Sequence, residues 1–116
     1  MKKVKMARTG KRSAVGATMG SKGRVYISGP IRGKKDYESA FKIAAIELRN
    51  DGWAVLSPIE TDFNGATLRE IFAIDCDWIT RMADAMYMLK GWEASSGAQA
   101  EWALARALGL RIFYED

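Results

Sequence analysis

Histidine is absent from this 116-residue chain, and cysteine occurs once, as Cys76. Without imidazole the usual general base near neutral pH and the commonest metal ligand are both missing. Acid–base or nucleophilic chemistry must then rest on Asp, Glu, Tyr, Lys, Ser or the one Cys. A single cysteine excludes an intramolecular disulfide and any cysteine-based zinc cluster, which fits a reducing compartment and a cytoplasmic location. No apolar run approaches the roughly 20 residues needed to span a bilayer. The basic N-terminus lacks the apolar block of a secretory signal, so no export is expected. Proline is also scarce, and both copies, Pro30 and Pro58, fall where a strand-like run ends.

The chain is long enough for one domain with one core, burying roughly two thirds of its unfolded surface. Its net charge of +4 is unevenly distributed. Residues 1–24 carry eight Lys or Arg and no acid, whereas residues 25–116 carry ten basic and fourteen acidic side chains, a balance of −4. Residues 1–23, rich in Lys, Arg, Gly, Ser and Ala without periodicity, read as a disordered extension. They are either a solvated tail or an electrostatic arm for nucleic acid or a membrane surface. The remainder, 24–116, gives no compositional reason to expect nucleic-acid binding.

Beyond the tail, strand and helix patterns alternate. Val25–Ser28 reads as a strand ended by Gly29-Pro30, and Asp36–Asn50 as a helix whose Tyr37, Phe41, Ala44, Ala45 and Leu48 share a face. Trp53–Leu56 is a second strand. Thr67-Leu68-Arg69-Glu70 has the form of a capping box and opens a helix running to about Met82. Ala85–Leu89 is nearly all apolar, as a strand covered on both faces should be. Ser96 is expected to cap an Ala-rich helix to Leu108, Gly109 to end it, and Leu110–Tyr114 to form the last strand. This order predicts an α/β fold: a doubly wound, Rossmann- or flavodoxin-like parallel sheet of four to five strands with helices on both faces.

Ligands of such sheets bind outside the carboxyl ends of the strands. Three segments fall there. Ser28-Gly29-Pro30-Ile31-Arg32-Gly33 is either a simple strand-ending turn or a loop whose backbone and Arg32 meet an anion. Ser95-Ser96-Gly97 opens a helix with free N–H groups and hydroxyls suited to a phosphate. Just over one turn inside it, Glu101 lies among alanines, Trp102 and Leu104. It is either a carboxylate on a burying face or a surface acid near the positive helix end. In the preceding helix, Leu68, Ile71, Phe72, Ile79 and Met82 make an expected inward stripe, which Asp75 interrupts between Ile71 and Ile79. Inward carboxylates on apolar faces favour function. Asp77 reads as solvated and Asp84 as a turn or cap residue. Two inward carboxylates beside a phosphate-type cradle, without histidine, fit cleavage of a glycosidic bond.

These motifs resemble the nucleoside 2-deoxyribosyltransferase-like superfamily, and within it the 2′-deoxynucleoside 5′-phosphate N-hydrolases. The resemblance rests on Tyr26-Ile27-Ser28-Gly29-Pro30-Ile31-Arg32-Gly33, on Asp75-Cys76-Asp77-Trp78 followed by Met82-Ala83-Asp84, and on Ser95-x-Gly97-x-x-x-Glu101. It covers residues 24–114. The run Tyr87-Met88-Leu89-x-Gly91-Trp92-Glu93 before Ser95-Ser96-Gly97 is similar to an uncharacterised branch frequent in bacteriophages. The resemblance implies Glu101 as the nucleophile on C1′, Asp75 as binder of sugar hydroxyls and proton donor to the leaving base, and Tyr26 as the residue orienting Glu101. Gly29, Ile31, Arg32 and Gly33 would line the pocket with Ser28, while Ser95, Ser96 and Gly97 would hold the 5′-phosphate. No metal or cofactor is implied, and the site is expected at a homodimer or tetramer interface. Two departures are visible: Pro30 replaces a small polar residue, and no counterpart precedes Asp116 for a Ser that follows the last strand in the N-hydrolases. The expected partner is therefore a nucleoside or its monophosphate. The expected activity is base–sugar hydrolysis, with base exchange or non-catalytic nucleotide sensing as alternatives.

Overall fold

The computed structural model describes residues 21–116. In chain order these form β1 (Arg24–Ser28), α1 (Tyr37–Asn50), β2 (Ala54–Leu56), α2 (Leu68–Arg81), β3 (Ala85–Met88), α3 (Ser96–Leu108) and β4 (Arg111–Tyr114), with 3-10 turns at Pro58–Glu60 and Trp92–Ala94. The four strands make one parallel sheet in the order β2-β1-β3-β4. The expected doubly wound α/β architecture is present with four strands and three helices. Most of the expected basic extension, residues 1–20, lies outside the described residues. Its last three positions do not behave as a tail. Lys22 N–H donates to Gly52 O at 2.9 Å, its ammonium meets Asp51 at 3.2 Å, and Ala54 N–H donates to Gly23 O.

Side-chain alternation along β1 divides the interior into two cores. Val25 and Ile27 point to one face and pack with Phe41, Ala44, Ala45 and Leu48 of α1 and with Trp53. Tyr26 points to the other, against Ile79 of α2 and Ala98 and Ala105 of α3. This period of two is the ordinary consequence of the strand pleat. One helix thus covers one face and two cover the other. After β1 the chain turns to α1, and after β3 it turns to the opposite face and α3. The crevice between those two departing loops is the switch point at which open α/β sheets bind ligands.

Local signals account for most element boundaries. The capping box of α2 is formed: Glu70 N–H donates to Thr67 Oγ1 at 3.1 Å, and Thr67 N–H to Glu70 Oε1 at 2.9 Å. Gly109 ends α3 at φ +76°. The α3 cap is Ser95 rather than the expected Ser96, because the Ser95 side chain accepts from Ala98 N–H at 3.2 Å while Ser96 already has helical geometry. Asp84 behaves as a junction residue, accepting from Arg24 N–H at 2.9 Å, and Asp77 is exposed and paired with Arg81.

One expectation fails. The stripe on α2 is not a core face along its whole length. Only Asp75 and Ile79 are buried there, Ile71, Phe72 and Met82 are half-buried, and Leu68 is 57% exposed. The first two turns of α2 stand over an open cleft and not over the sheet. Among the described residues no helix is long and apolar enough to cross a membrane.

Candidate functional site

Tyr26 and Ser28 are two residues apart on β1 and therefore face the same side, toward α3. On α3, Ala98, Glu101 and Ala105 form the buried stripe at helical spacing. The small side chains on either side of Glu101 let the helix approach the sheet closely. Glu101, 7% exposed, comes to rest between the two β1 side chains. Ser28 Oγ donates to Glu101 Oε1 at 2.7 Å, and the Tyr26 hydroxyl donates to Oε2 at 3.1 Å. Trp78 of α2 packs edge-on against the Tyr26 ring, with centroids 6.4 Å apart, and fixes the phenol from the far side.

Asp75 comes from α2 and is 6% exposed. Its Oδ1 is buried and has no hydrogen-bond partner. A buried polar atom left unpaired costs on the order of 1–3 kcal/mol, so the site retains an unmet demand for a donor or a proton. Burial dominates the electrostatics of both acids. It pushes Asp75 up to about 6, against a smaller downward pull from the Tyr26 hydroxyl. It pushes Glu101 up to about 7; the Ser28 hydrogen bond opposes this, the Asp75 charge adds to it, and the Tyr26 hydrogen bond again opposes it. The Tyr26 phenol is held well above its ordinary range, first by burial and then by the charges of Glu101 and Asp75. Burial followed by the same two charges raises the thiol of half-buried Cys76. Two carboxyl groups titrating near neutrality, side by side in a cleft, are the pattern expected where protons are moved.

The cleft has a volume of about 990 Å³. Tyr26, Gly29, Ile31, Arg32, Gly33, Asp75, Ser95, Ser96, Gly97 and Glu101 all line it, so the three sequence segments meet in one place. Ser28 is the exception among the expected binding residues. It is 1% exposed, sits behind Glu101, and acts on that carboxylate instead of on the cleft. The loop after β1 can lie this low because Gly29 has no side chain: a Cβ there would fall 2.7 Å from Leu89 Cβ. Ser95, Ser96 and Gly97 present the start of α3, where unpaired N–H groups and the helix dipole favour an anion.

Sequence reasoning missed the outer wall. Leu68, Arg69, Ile71 and Phe72 of α2 line the cleft, as do Pro30 and Pro58. The apolar stripe of α2 is its signal, and periodicity by itself reads such a stripe as a core face. Arg69 had a weaker one: its position inside the capping box fixes it on the first turn, beside the helix face that carries Asp75.

No curated protein matches the sequence. Residues 23–114, which hold every strand and helix described above, match the family model described as a domain of unknown function, DUF4406, and the chain belongs to that family.

Proposed function

We propose that the protein is an N-glycosidase that hydrolyses the base–sugar bond of (deoxy)nucleoside 5′-monophosphates. The observation carrying this reading is the unequal support of two buried acids in one cleft. Glu101 is held by two hydroxyl donors, whereas Asp75 keeps a buried oxygen with no partner. A fixed carboxylate suits attack at carbon, and one with an oxygen left unpartnered suits the carriage of a proton or the binding of a hydroxyl. The likeness of the three site segments to the deoxynucleotide N-hydrolases supports the same assignment.

In this mechanism the 5′-phosphate lies at the start of α3 and C1′ faces Glu101. The ionised Glu101 forms a bond to C1′ as the C1′–N bond breaks, and the bonding electron pair leaves with the base. Asp75, protonated, gives its proton to that base. Water then attacks C1′ of the glycosyl ester, Asp75 takes up a proton from it, and Glu101 leaves as a carboxylate. Two inversions at C1′ give net retention. Tyr26 and Ser28 keep Glu101 in place and share its negative charge.

The test is incubation with a panel of nucleoside and deoxynucleoside monophosphates, following free base by chromatography. Base release that Glu101→Gln lowers by on the order of 10³-fold or more supports the reading. Absence of release from every monophosphate refutes it. Adding a second free base separates hydrolysis from base exchange, since exchange yields a new nucleotide in place of free sugar phosphate.

A further inference from the structure

β4 ends the sheet order β2-β1-β3-β4, so one of its two edges has no strand beside it among the described residues. Which backbone groups lie on that edge follows from the pairing with β3. Glu115 N–H donates to Met88 O at 2.9 Å, one residue past the Met88–Tyr114 pair. In a parallel ladder alternate residues turn their N–H and C=O to the same side. Arg111, Phe113 and Glu115 are therefore turned to β3, and Ile112 and Tyr114 are turned outward. The pleat divides the side chains in the same rhythm. Arg111, Phe113 and Glu115 share the α1 face, where Phe113 meets Trp53 with ring centroids 6.1 Å apart. Ile112 and Tyr114 share the other face, where the Tyr114 hydroxyl accepts from Trp102 Nε1–H at 2.9 Å. A row of open N–H and C=O groups is a template for another strand, and natural edges are often blunted by Pro or Lys. Arg111-Ile112-Phe113-Tyr114 contains neither, and Tyr114 is 50% exposed.

This edge is complementary to itself. Two antiparallel β4 strands must set outward-turned residues opposite outward-turned ones, so a two-fold axis between them passes through a residue and never between two. An axis at Phe113 sets Ile112 opposite Tyr114 of the partner subunit, where the two exchange both backbone bonds, and the reciprocal pair does the same. On the α1 face Phe113 then meets the partner's Phe113, Arg111 meets the partner's Glu115, and Glu115 meets the partner's Arg111. These are the non-hydrogen-bonded positions, where facing side chains come closest. Aromatic pairs, aromatic with β-branched pairs and opposite charges are the favourable cross-strand classes, and every pair here belongs to one of them. An axis at Ile112 would set Arg111 against Phe113, and one at Tyr114 would set Glu115 against Phe113. Only Phe113 pairs the charges. The Arg111 side chain is exposed and has no ion pair among the described residues. Glu115 Oε1 accepts from Lys90 N–H at 2.8 Å, which steadies the carboxylate and leaves Oε2 for a guanidinium.

We infer that a second copy of this chain adds to the sheet along β4, antiparallel and about a two-fold axis at Phe113. The order β2-β1-β3-β4 then continues into β4-β3-β1-β2 of the partner. The same patch serves both copies, so the pairing closes on itself and each substitution acts twice. A seam this short makes a reversible dimer whose population follows concentration. No residue after Glu101 lines the cleft, so the seam leaves it open, and the inference does not depend on what the cleft does.

The experiment is sedimentation velocity on the full chain over a range of concentrations, with the wild type, Arg111→Glu, Glu115→Arg and the double swap. The wild type should pass from monomer to dimer as concentration rises. Either single reversal sets like charges opposite each other at both ends of the seam and should weaken the dimer about tenfold or more. The double swap makes both pairs opposite again and should recover the wild-type affinity to within about threefold. Hydrogen exchange followed by NMR gives a second reading on the wild type alone. The Ile112 and Tyr114 amides should gain protection only as the dimer forms, whereas those of Phe113 and Glu115, bonded to β3, should be protected throughout. If Glu115→Arg fails to fold for want of the Lys90 contact, Arg111→Glu at its exposed position and the exchange pattern decide. A wild type that stays monomeric at millimolar concentration overturns the inference, as does one whose own residues 1–20 shield the Ile112 and Tyr114 amides at every concentration. So does a dimer indifferent to the single reversals, or a double swap no tighter than either of them.

Discussion

Replacing Glu101 with Gln should make the protein more stable, by an amount that grows with pH. In the folded protein the Glu101 carboxyl is raised from 4.5 to about 7, chiefly by burial. Near pH 4 both the folded and unfolded chains hold the proton, and the site costs little. As pH rises through 4.5 the unfolded chain ionises while the folded one does not, so folding is penalised increasingly. The penalty levels off once the folded carboxyl has also ionised, above about pH 7. At about 1.4 kcal/mol per tenfold change in proton affinity, the full penalty is roughly 3 kcal/mol. Gln fills the same space and keeps the pattern of hydrogen bonds. Its carbonyl accepts from Ser28 Oγ, and its amide donates to the Tyr26 hydroxyl oxygen, leaving that hydroxyl free to donate to Asp75. The gain should be under about 1 kcal/mol at pH 5 and about 3 kcal/mol at pH 8.5. For a domain of this size that is on the order of 10 °C or more in Tm at the higher pH. Thermal unfolding followed by circular dichroism, at half-unit steps from pH 5 to 8.5, reads it directly. A Glu101→Gln protein less stable than the wild type at pH 8.5, or a difference independent of pH, would refute the argument that burial of this acid opposes folding.

The proposed hydrolysis needs Glu101 ionised and Asp75 protonated, the minor of the two singly protonated forms because Glu101 has the higher pKa, so the pH–rate profile should be a narrow, low bell whose limbs, belonging to the coupled pair, lie near 6 and 7. Asp75→Asn should lower kcat by roughly 10²–10⁴-fold, and initial rates across pH would show the bell replaced by a single limb. Ser28→Ala removes a hydrogen bond that lowers the Glu101 pKa, the higher of the pair, so the limb near 7 should move to higher pH; a profile that stays in place would count against Ser28 as the residue positioning this carboxylate. Gly29→Ala sets a Cβ 2.7 Å from Leu89 Cβ and should destabilise the domain by about 1–3 kcal/mol, measurable by urea unfolding. Leu68→Ser, at a 57% exposed position, should change stability by no more than about 0.5 kcal/mol, whereas Ile79→Ala should cost about 2–5 kcal/mol; equal costs would return Leu68 to the core.

Features set by neighbours in the chain were readable without coordinates. The Thr67–Glu70 capping box, the Gly109 stop and the near-continuous apolar β3 are each dictated within a few residues by backbone hydrogen bonding or by the pleat. So is the alternation that turns Tyr26 and Ser28 to one face of β1. Asp75 and Glu101 stood out for the same reason, as charges breaking an apolar period. The α3 cap was misplaced by one residue because either of two adjacent serines can accept a helix N–H, and the entry angle of the chain chooses between them.

Long-range packing decided the rest. The stripe Leu68-Ile71-Phe72 is the same on paper whether it faces a sheet or a cleft, because periodicity records that a face is apolar and not what lies opposite. Only the placement of α2 over the switch point made that stripe a wall and brought Arg69 to it. Likewise, the sequence allowed Glu101 to be buried or solvated. Its hydroxyl partners lie 73 and 75 residues away on β1, and folding had to bring them within hydrogen-bonding reach before the carboxyl could be held dry near neutrality. The order of residues determined which groups are available and which way each local element turns them. The tertiary structure determined which groups share a low-dielectric space, and that space sets their charge.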